Sequence, residues 1–241
     1  MAAPNQLADS SGSHARIARD KASEAIEDYA KAVHALADRQ RGPVGTSALA
    51  ERLGVSPGTV TSMLKRMDSL GLLRYEPYKG VELTVAGERL ALEVIRHHRL
   101  IESYLAEALG MPWDRVHDEA EVLEHYISEE LEQRMAAALG DPSHDPHGDP
   151  IPSPELELEH EETRPLADLE PGETGIFVRV SDADPGMLRY LGERGIAPGD
   201  ALEVVERQPF DGPLSVRFSA GSFAIGGGLA RAMRVGPSEG R

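Results

Sequence analysis

The chain has 241 residues, enough for one large or two to three small domains, and a net charge of −16. It has no cysteine, which excludes a disulfide framework, a thiolate metal site and a cysteine nucleophile. No apolar run approaches the roughly 18 residues of a membrane span, and residues 1–20 lack the apolar core of a signal peptide; a cytoplasmic protein with a polar, disordered stretch over 1–20 is expected.

Residues 23–38, SEAIEDYAKAVHALAD, space Ile26, Tyr29, Val33 and Leu36 at helical period. After the breaker RQRGPVG, TSALAERL predicts a short helix capped by Thr46 or Ser47 and stopped at Gly54. SPGTVTSMLKRMDSLG predicts a second helix, with Ser56 as N-cap, Pro57 at its first position and Gly71 as terminator. Two such helices separated by GVS have the punctuation of a helix-turn-helix. LLRYEPYKGVELT adds a hairpin, or wing, around EPYKG. Residues 85–110 predict a long helix, and about 115–139 a further single helix. GDPSHDPHGDPIPSPELELEHEE predicts a linker over 141–163, with His144 and His147 as solvated loop histidines. Beyond it, GIFVRV, ALEVVE, LSVRF and SFAIG predict strands of a small β-barrel, with a short helix at GMLRYLGERG.

A polyanion repels another, so the net charge alone argues against nucleic acid. The distribution reverses this locally: residues 41–80 hold six basic residues (Arg41, Arg52, Lys65, Arg66, Arg74, Lys79) against three acids (Glu51, Asp68, Glu76). The second helix would present Ser56, Pro57, Gly58, Thr59, Thr61 and Ser62 near its start, small enough for close approach to a major groove. Lys65, Arg66, Tyr78 and Lys79 would meet phosphates, while Val60, Leu64 and Met67 face inward. The bland reading is a three-helix packing unit; caps, wing and local charge together favour DNA.

In HDEAEVLEH, residues 117–125, six of nine side chains can ionise. On a helix Glu121, Glu124 and His125 share a face, with His117 one turn earlier; His98 and Glu102 are paired in the same way on the preceding helix. Acids so crowded repel unless a cation compensates them, so a divalent metal is favoured over a solvated acidic face.

The order of parts resembles the diphtheria toxin repressor (DtxR/MntR) family of metal-dependent transcriptional repressors. The motifs are the Asp28-Tyr29 pair, SPGTVTSMLKRMDSLGLL, the T-x-x-G from Thr84 to Gly87, HHRLIE, VHDEAEVLEH, PIP and a last segment from PLADLEPGETG to ARAMRV that resembles the FeoA-like barrel. The resemblance implies a mainly α fold with small β parts: a winged helix-turn-helix over 21–84, a helical dimerisation and metal-binding domain over 85–140, and the barrel over 164–236. It implies a homodimer on a palindromic operator and about two metal sites per subunit. The primary site maps onto Asp28, Glu121, Glu124 and His125. The ancillary site maps onto His98, Glu102 and His117, with Asp182 or Asp184 of the barrel.

Iron-type members place methionine and cysteine where this chain has Asp28 and Glu121. Three carboxylates and an imidazole suit Mn(II), with Fe(II) the alternative. Lys31 stands where some short manganese members carry a glutamate, which favours a separate ancillary site over two closely spaced metals. The expected function is thus Mn(II)-sensing repression in metal homeostasis, not enzymatic, with no small organic substrate. The rival is a metal-independent winged-helix regulator; a hydrolase lacks any H-E-x-x-H motif and leaves the wing unexplained.

Overall fold

The computed structural model describes residues 10–40, 42–159, 161–210 and 212–238. They form two compact units, Met1–Val94 and Ile95–Arg241.

The first unit opens with α1, Ser10–Gln40. This helix begins earlier than the apolar spacing suggests and covers residues 10–20, which the sequence assigns to a disordered N-terminus; residues 1–9 of that expectation lie outside the described residues. Next come α2, Thr46–Leu53, and α3, Pro57–Ser69. Helix α2 is capped by Gly45 rather than by Thr46 or Ser47. The reason is the approach of the chain: Val44 pairs as an extended residue with Val81, so the helical turn starts directly after it. Gly54 ends α2 at φ 64. Ser56 caps α3, its hydroxyl accepting from the Thr59 amide, with Pro57 behind it. Val60, Leu64 and Met67 on α3 are fully buried against Tyr29, Ala30, Val33 and Leu49. The wing is the antiparallel pair β1, Leu73–Glu76, and β2, Gly80–Leu83.

Helix α4, Val85–Glu107, runs from the first unit into the second. Its start explains the T-x-x-G motif. The Thr84 hydroxyl donates to Gly71 O (2.7 Å) and accepts from the Gly87 amide (3.2 Å). A Cβ on Gly87 would stand 1.8 Å from Leu72 O, so only glycine lets the helix lie this close to the preceding chain.

In the second unit the single helix expected over about 115–139 is two: α5, Val116–Leu123, and α6, Glu129–Ala138. Ser128 restarts the helix as an N-cap, accepting from the Leu131 amide, and Glu129, Glu130 and Glu132 complement the positive end of the new dipole. The break at 124–128 lets Glu124 turn inward, to 1% exposure, although Val122 and Leu123 before it are exposed.

The rest of the unit is a six-stranded antiparallel sheet in the order β3-β8-β4-β5-β6-β7. Its strands are β3, Arg164–Pro165; β4, Thr174–Val180; β5, Ala201–Arg207; β6, Leu214–Phe218; β7, Gly221–Ile225; and β8, Met233–Gly236. The sheet does not close: β3 and β7 are its edges, so the expected barrel is an open one. Helices α7, Pro185–Gly192, and α8, Gly227–Ala232, cover its core of Phe177, Leu188, Leu191, Val204 and Val216.

The expected linker over 141–163 is in part packed structure. His144 bridges Pro150, Ile151 is buried, and the His147 carbonyl accepts from the Val180 amide. Gly148, at φ 88, lies so close to Val178 O that a Cβ would stand 1.9 Å away. Among the described residues no helix is long and apolar enough to cross a membrane.

Candidate metal centre and nucleic-acid interface

Helix α3 presents Ser56, Pro57, Gly58, Thr59, Ser62, Lys65 and Arg66 to solvent, and the wing turn presents Tyr78 and Lys79. Thr61 differs: it is half-buried and its hydroxyl donates to Pro57 O (2.9 Å). Ser62 donates likewise to Gly58 O (3.0 Å). The Ser56 and Thr59 hydroxyls lie 2.8 Å apart. The exposed start of α3 thus combines short side chains with helix-end amides, while the cations stand further along.

In the second unit, four segments converge on the buried carboxylate of Glu102, which is 1% exposed. Glu102 Oε1 is 3.0 Å from His98 Nε2, one turn back on α4, and 3.4 Å from His117 Nδ1 on α5. Glu102 Oε2 is 3.6 Å from His147 Nδ1. Asp182, from the loop after β4, brings Oδ2 within 3.0 Å of His117 Nδ1. One ligand atom from each of His98, Glu102, His117 and Asp182 falls within 4.8 Å of the others, and the same holds for Glu102, Asp145 and His147. Asp184, the other sequence candidate, instead caps α7, accepting from the Gly186 amide at 2.8 Å.

The primary-site candidates are distributed differently. Glu124 Oε2 is 2.5 Å from His98 Nδ1, so His98 stands between Glu124 and Glu102. Glu121 Oε1 is 3.8 Å from both His98 Nδ1 and His117 Nε2, and His125 Nε2 is 3.7 Å from Glu124 Oε1. His97 fixes the break after α5, with Nδ1 3.1 Å from Glu124 O and Nε2 3.1 Å from Glu132 Oε2. Asp28 is half-buried on α1, in the first unit.

His147, expected in solvent, and Asp145, which the sequence did not single out, also belong to this cluster. His147 is 1% exposed, and its Nε2–H donates to Trp113 O at 2.8 Å while its ring stacks on Trp113. Asp145 folds its own segment, its Oδ1 accepting from the amides of His147 (2.8 Å) and Asp149 (3.0 Å). The available signal was the Asp-Pro-His-Gly-Asp run, whose aspartate and glycine specify a tight turn rather than a loose linker.

The electrostatics follow from one carboxylate shared by several imidazoles. Burial would raise the Glu102 pKa, but hydrogen bonds from His117, His147 and His98 hold it well below the usual carboxylate range. His117 is pushed up to about 10, chiefly by Asp182 and then by Glu102. His147 is pulled down by burial, yet Glu102 outweighs that and lifts it to about 9. Asp145 is raised to about 7 by burial and by the charges of Asp149 and Glu102. Without metal, protons on imidazole therefore compensate the carboxylates. Oxygen and imidazole donors around buried negative charge fit a divalent cation, which would take over that role.

A pH dependence follows. The two histidines have folded pKa values above their unfolded values, so their stabilisation is complete below about pH 6.5 and is lost as pH rises through about 9 and 10. Thermal melting of the chelator-treated protein should fall steadily from pH 7 to 10, and His117→Gln should flatten the slope. A flat wild-type profile would refute the assignment. Because the same protons must leave before metal binds, metal affinity should weaken as pH falls.

The description "Iron dependent repressor, N-terminal DNA binding domain" matches residues 21–81. "Iron dependent repressor, metal binding and dimerisation domain" matches 84–153, and the FeoA domain matches 164–237. The chain is 33% identical over 199 residues to the iron-dependent repressor IdeR of Mycobacterium leprae, spanning 77% of this chain and 85% of that one. It is 30% identical over 227 residues to the diphtheria toxin repressor of Corynebacterium glutamicum, spanning 90% and 98%. The chain belongs to the diphtheria toxin repressor family. It is therefore a metal-dependent transcriptional repressor rather than an enzyme. A solved manganese-dependent transcriptional repressor in complex with manganese matches with a TM-score of 0.82 at 40% identity, over 88% of this chain and 100% of that one. ScaR with bound Zn2+ matches with a TM-score of 0.73 at 29% identity, over 88% and 99%. Iron stands in the name of IdeR, manganese in that of the first solved structure and zinc in that of the second.

Proposed function

We propose that this repressor senses Mn(II) in the cytoplasm and binds palindromic operators as a homodimer to control metal-homeostasis genes. The observation that carries the choice of metal is the donor set. Asp28, Glu121, Glu124 and His125 would hold one ion, and His98, Glu102, His117 and Asp182 a second, with Asp145 and His147 beside Glu102 as further donors. None of these donors is sulfur, and oxygen-rich sites suit Mn(II). Fe(II) is the second reading, favoured by the iron-dependent repressor IdeR among the relatives and by the descriptions of the two matching repressor domains. Bound there, a divalent cation supplies fixed positive charge in place of protons.

The chain's own residues do the rest. Asp28 belongs to α1 of the DNA-binding unit, whereas Glu121, Glu124 and His125 follow α4, so a shared ion would tie the reading helix to the dimerising core. Exposed Leu109, Val122, Tyr126 and Leu131 in the domain that matches a dimerisation module supply apolar surface for an isologous contact. Two copies of α3 at a fixed separation then require a palindrome. By linkage, whatever metal adds to DNA affinity, DNA adds to metal affinity.

The test is operator binding titrated with Mn(II), Fe(II) and chelator, with elemental analysis of the bound protein. Binding indifferent to chelator would end the metal-dependent reading; activation by Fe(II) alone would replace manganese by iron. In the same assay, Thr59→Ala should cost about 1–3 kcal/mol of DNA affinity if it contacts a base edge. Lys65→Ala should weaken binding uniformly and lower the salt slope by about one per subunit. Metal binding should be intact in both variants.

A further inference from the structure

The wing turn contains a residue that folding does not explain. Lys79 N–H donates to Glu76 O at 3.1 Å, closing a four-residue turn with Pro77 second and Tyr78 third. Tyr78 has φ 67. The third position of such a type II turn favours glycine or asparagine, and a bulky residue there is an outlier. The ring earns nothing from packing, since Tyr78 is 108% exposed relative to an isolated residue. A strained residue whose side chain touches nothing in its own fold points to a use outside it.

The hairpin is fixed with respect to α3. Tyr75 N–H donates to Asp68 Oδ1 (3.3 Å), Thr84 N–H to Leu72 O (3.0 Å), and Val44 and Val81 exchange two backbone bonds. Four residues per strand extend on the order of 13 Å. From a helix in the major groove, the neighbouring minor groove is about half a helical turn away, roughly 17 Å. The tip is flanked by Arg74 and Lys79, both exposed. Lys79 pairs with Glu76 at 2.6 Å, but both side chains are largely solvated, so the pair is weak and can yield to a phosphate.

We propose that Tyr78 is a wedge which the wing inserts into the minor groove of duplex DNA beside the segment read by α3, adding selectivity for groove width and A·T content. An apolar ring between cations is the chemistry of minor-groove insertion, and narrow A·T-rich grooves attract the flanking cations most. The proposal rests on the reading of α3 as the DNA-contacting helix.

The probe is a duplex selected by the wild-type Mn(II)-loaded protein from a pool with random flanks. Tyr78→Gly relieves the strained φ while removing the ring, so stability and affinity should move in opposite senses. The melting temperature should rise by about 2–4 °C, and the dissociation constant should rise roughly tenfold. Tyr78→Phe should bind like wild type. Phe210→Gly is the control: Phe210 has φ 60 and 100% exposure in the β5–β6 connection, so its replacement should raise stability and leave affinity unchanged. Replacing flanking G·C pairs by I·C alters only the minor groove; it should change wild-type affinity and leave that of Tyr78→Gly unmoved.

Unchanged affinity in Tyr78→Gly, or an undiminished inosine effect in that variant, overturns the wedge. Equal weakening by Phe210→Gly also overturns it. If Lys65→Ala weakens binding while Tyr78→Gly does not, only the wedge fails; if neither matters, the assignment of α3 fails with it.

Discussion

Glu102→Gln should be the most damaging single substitution in the second unit. At pH 7 the metal-free protein should lose about 3–5 kcal/mol of stability, the cost of removing one partner from a buried charge pair. The cause is the number of groups that depend on this carboxylate: His98, His117 and His147 all approach it within 3.6 Å. An amide keeps the shape but supplies no charge: His117 keeps only Asp182 and His147 loses its main counter-charge, so both hold their protons less tightly. The penalty should therefore depend on pH. Wild-type stabilisation from His117 and His147 fades as pH rises through about 9 and 10, whereas the variant, whose histidines have lost the Glu102 charge, has less to lose there. The gap between variant and wild type should narrow from pH 6.5 to 10 in urea unfolding. Metal affinity at this cluster should fall by at least 10–100-fold, the range seen even for outer-shell partners of a metal. A penalty of equal size at both ends of the pH range would mean that Glu102 matters for packing rather than for charge.

Much of the first unit was legible in the sequence because its signals are local. Ser56 and Pro57 start α3, and Gly54 and Gly71 end helices through left-handed geometry, all within a few residues of the boundary they mark. The wing follows from β-prone runs around a proline turn. The second unit was harder, because its decisive features are tertiary. The break after α5 depends on Ser128, whose capping role was hidden inside an acidic run with helical spacing. His147 looked solvated by composition; Trp113 stacking, Gly148 beneath Val178 O and the shared Glu102 bury it. Strands β3 and β8 are too short for alternation to reveal them, and an open sheet cannot be told from a closed barrel by strand spacing.

The same distinction applies to the candidate ligands. Helical spacing paired His98 with Glu102 and grouped Glu121 with Glu124, and the family resemblance assigned the two groups to separate sites. The contact between His98 Nδ1 and Glu124 Oε2, at 2.5 Å, puts one imidazole between the two donor sets. Changes in one set should thus be felt by the other through the orientation of His98, since its two ring nitrogens face different carboxylates.

Glu121→Cys should change which metal activates the repressor more than it changes whether metal binds. Glu121 is the residue at which iron-type relatives carry cysteine by the sequence resemblance, and its side chain is 41% exposed, the most accessible of the acids near His98. A thiolate there replaces a hard oxygen donor by a soft one, which favours Fe(II), Co(II) and Zn(II) over Mn(II). The ratio of Mn(II) to Co(II) concentrations needed for half-maximal operator binding should rise by at least about tenfold, and Asp28→Met in addition should extend the shift. Stability should change little, because solvent screens the charge of a carboxylate that is 41% exposed. Two controls separate selectivity from damage. Glu121→Asp retains the oxygen donor and should keep the manganese preference with weaker binding. Thr59→Ala and Lys65→Ala, on α3, should lower DNA affinity for every metal alike. An unchanged metal ratio in Glu121→Cys, measured alongside an intact response to chelator, would remove Glu121 from the ligand set and with it the donor-based argument for manganese.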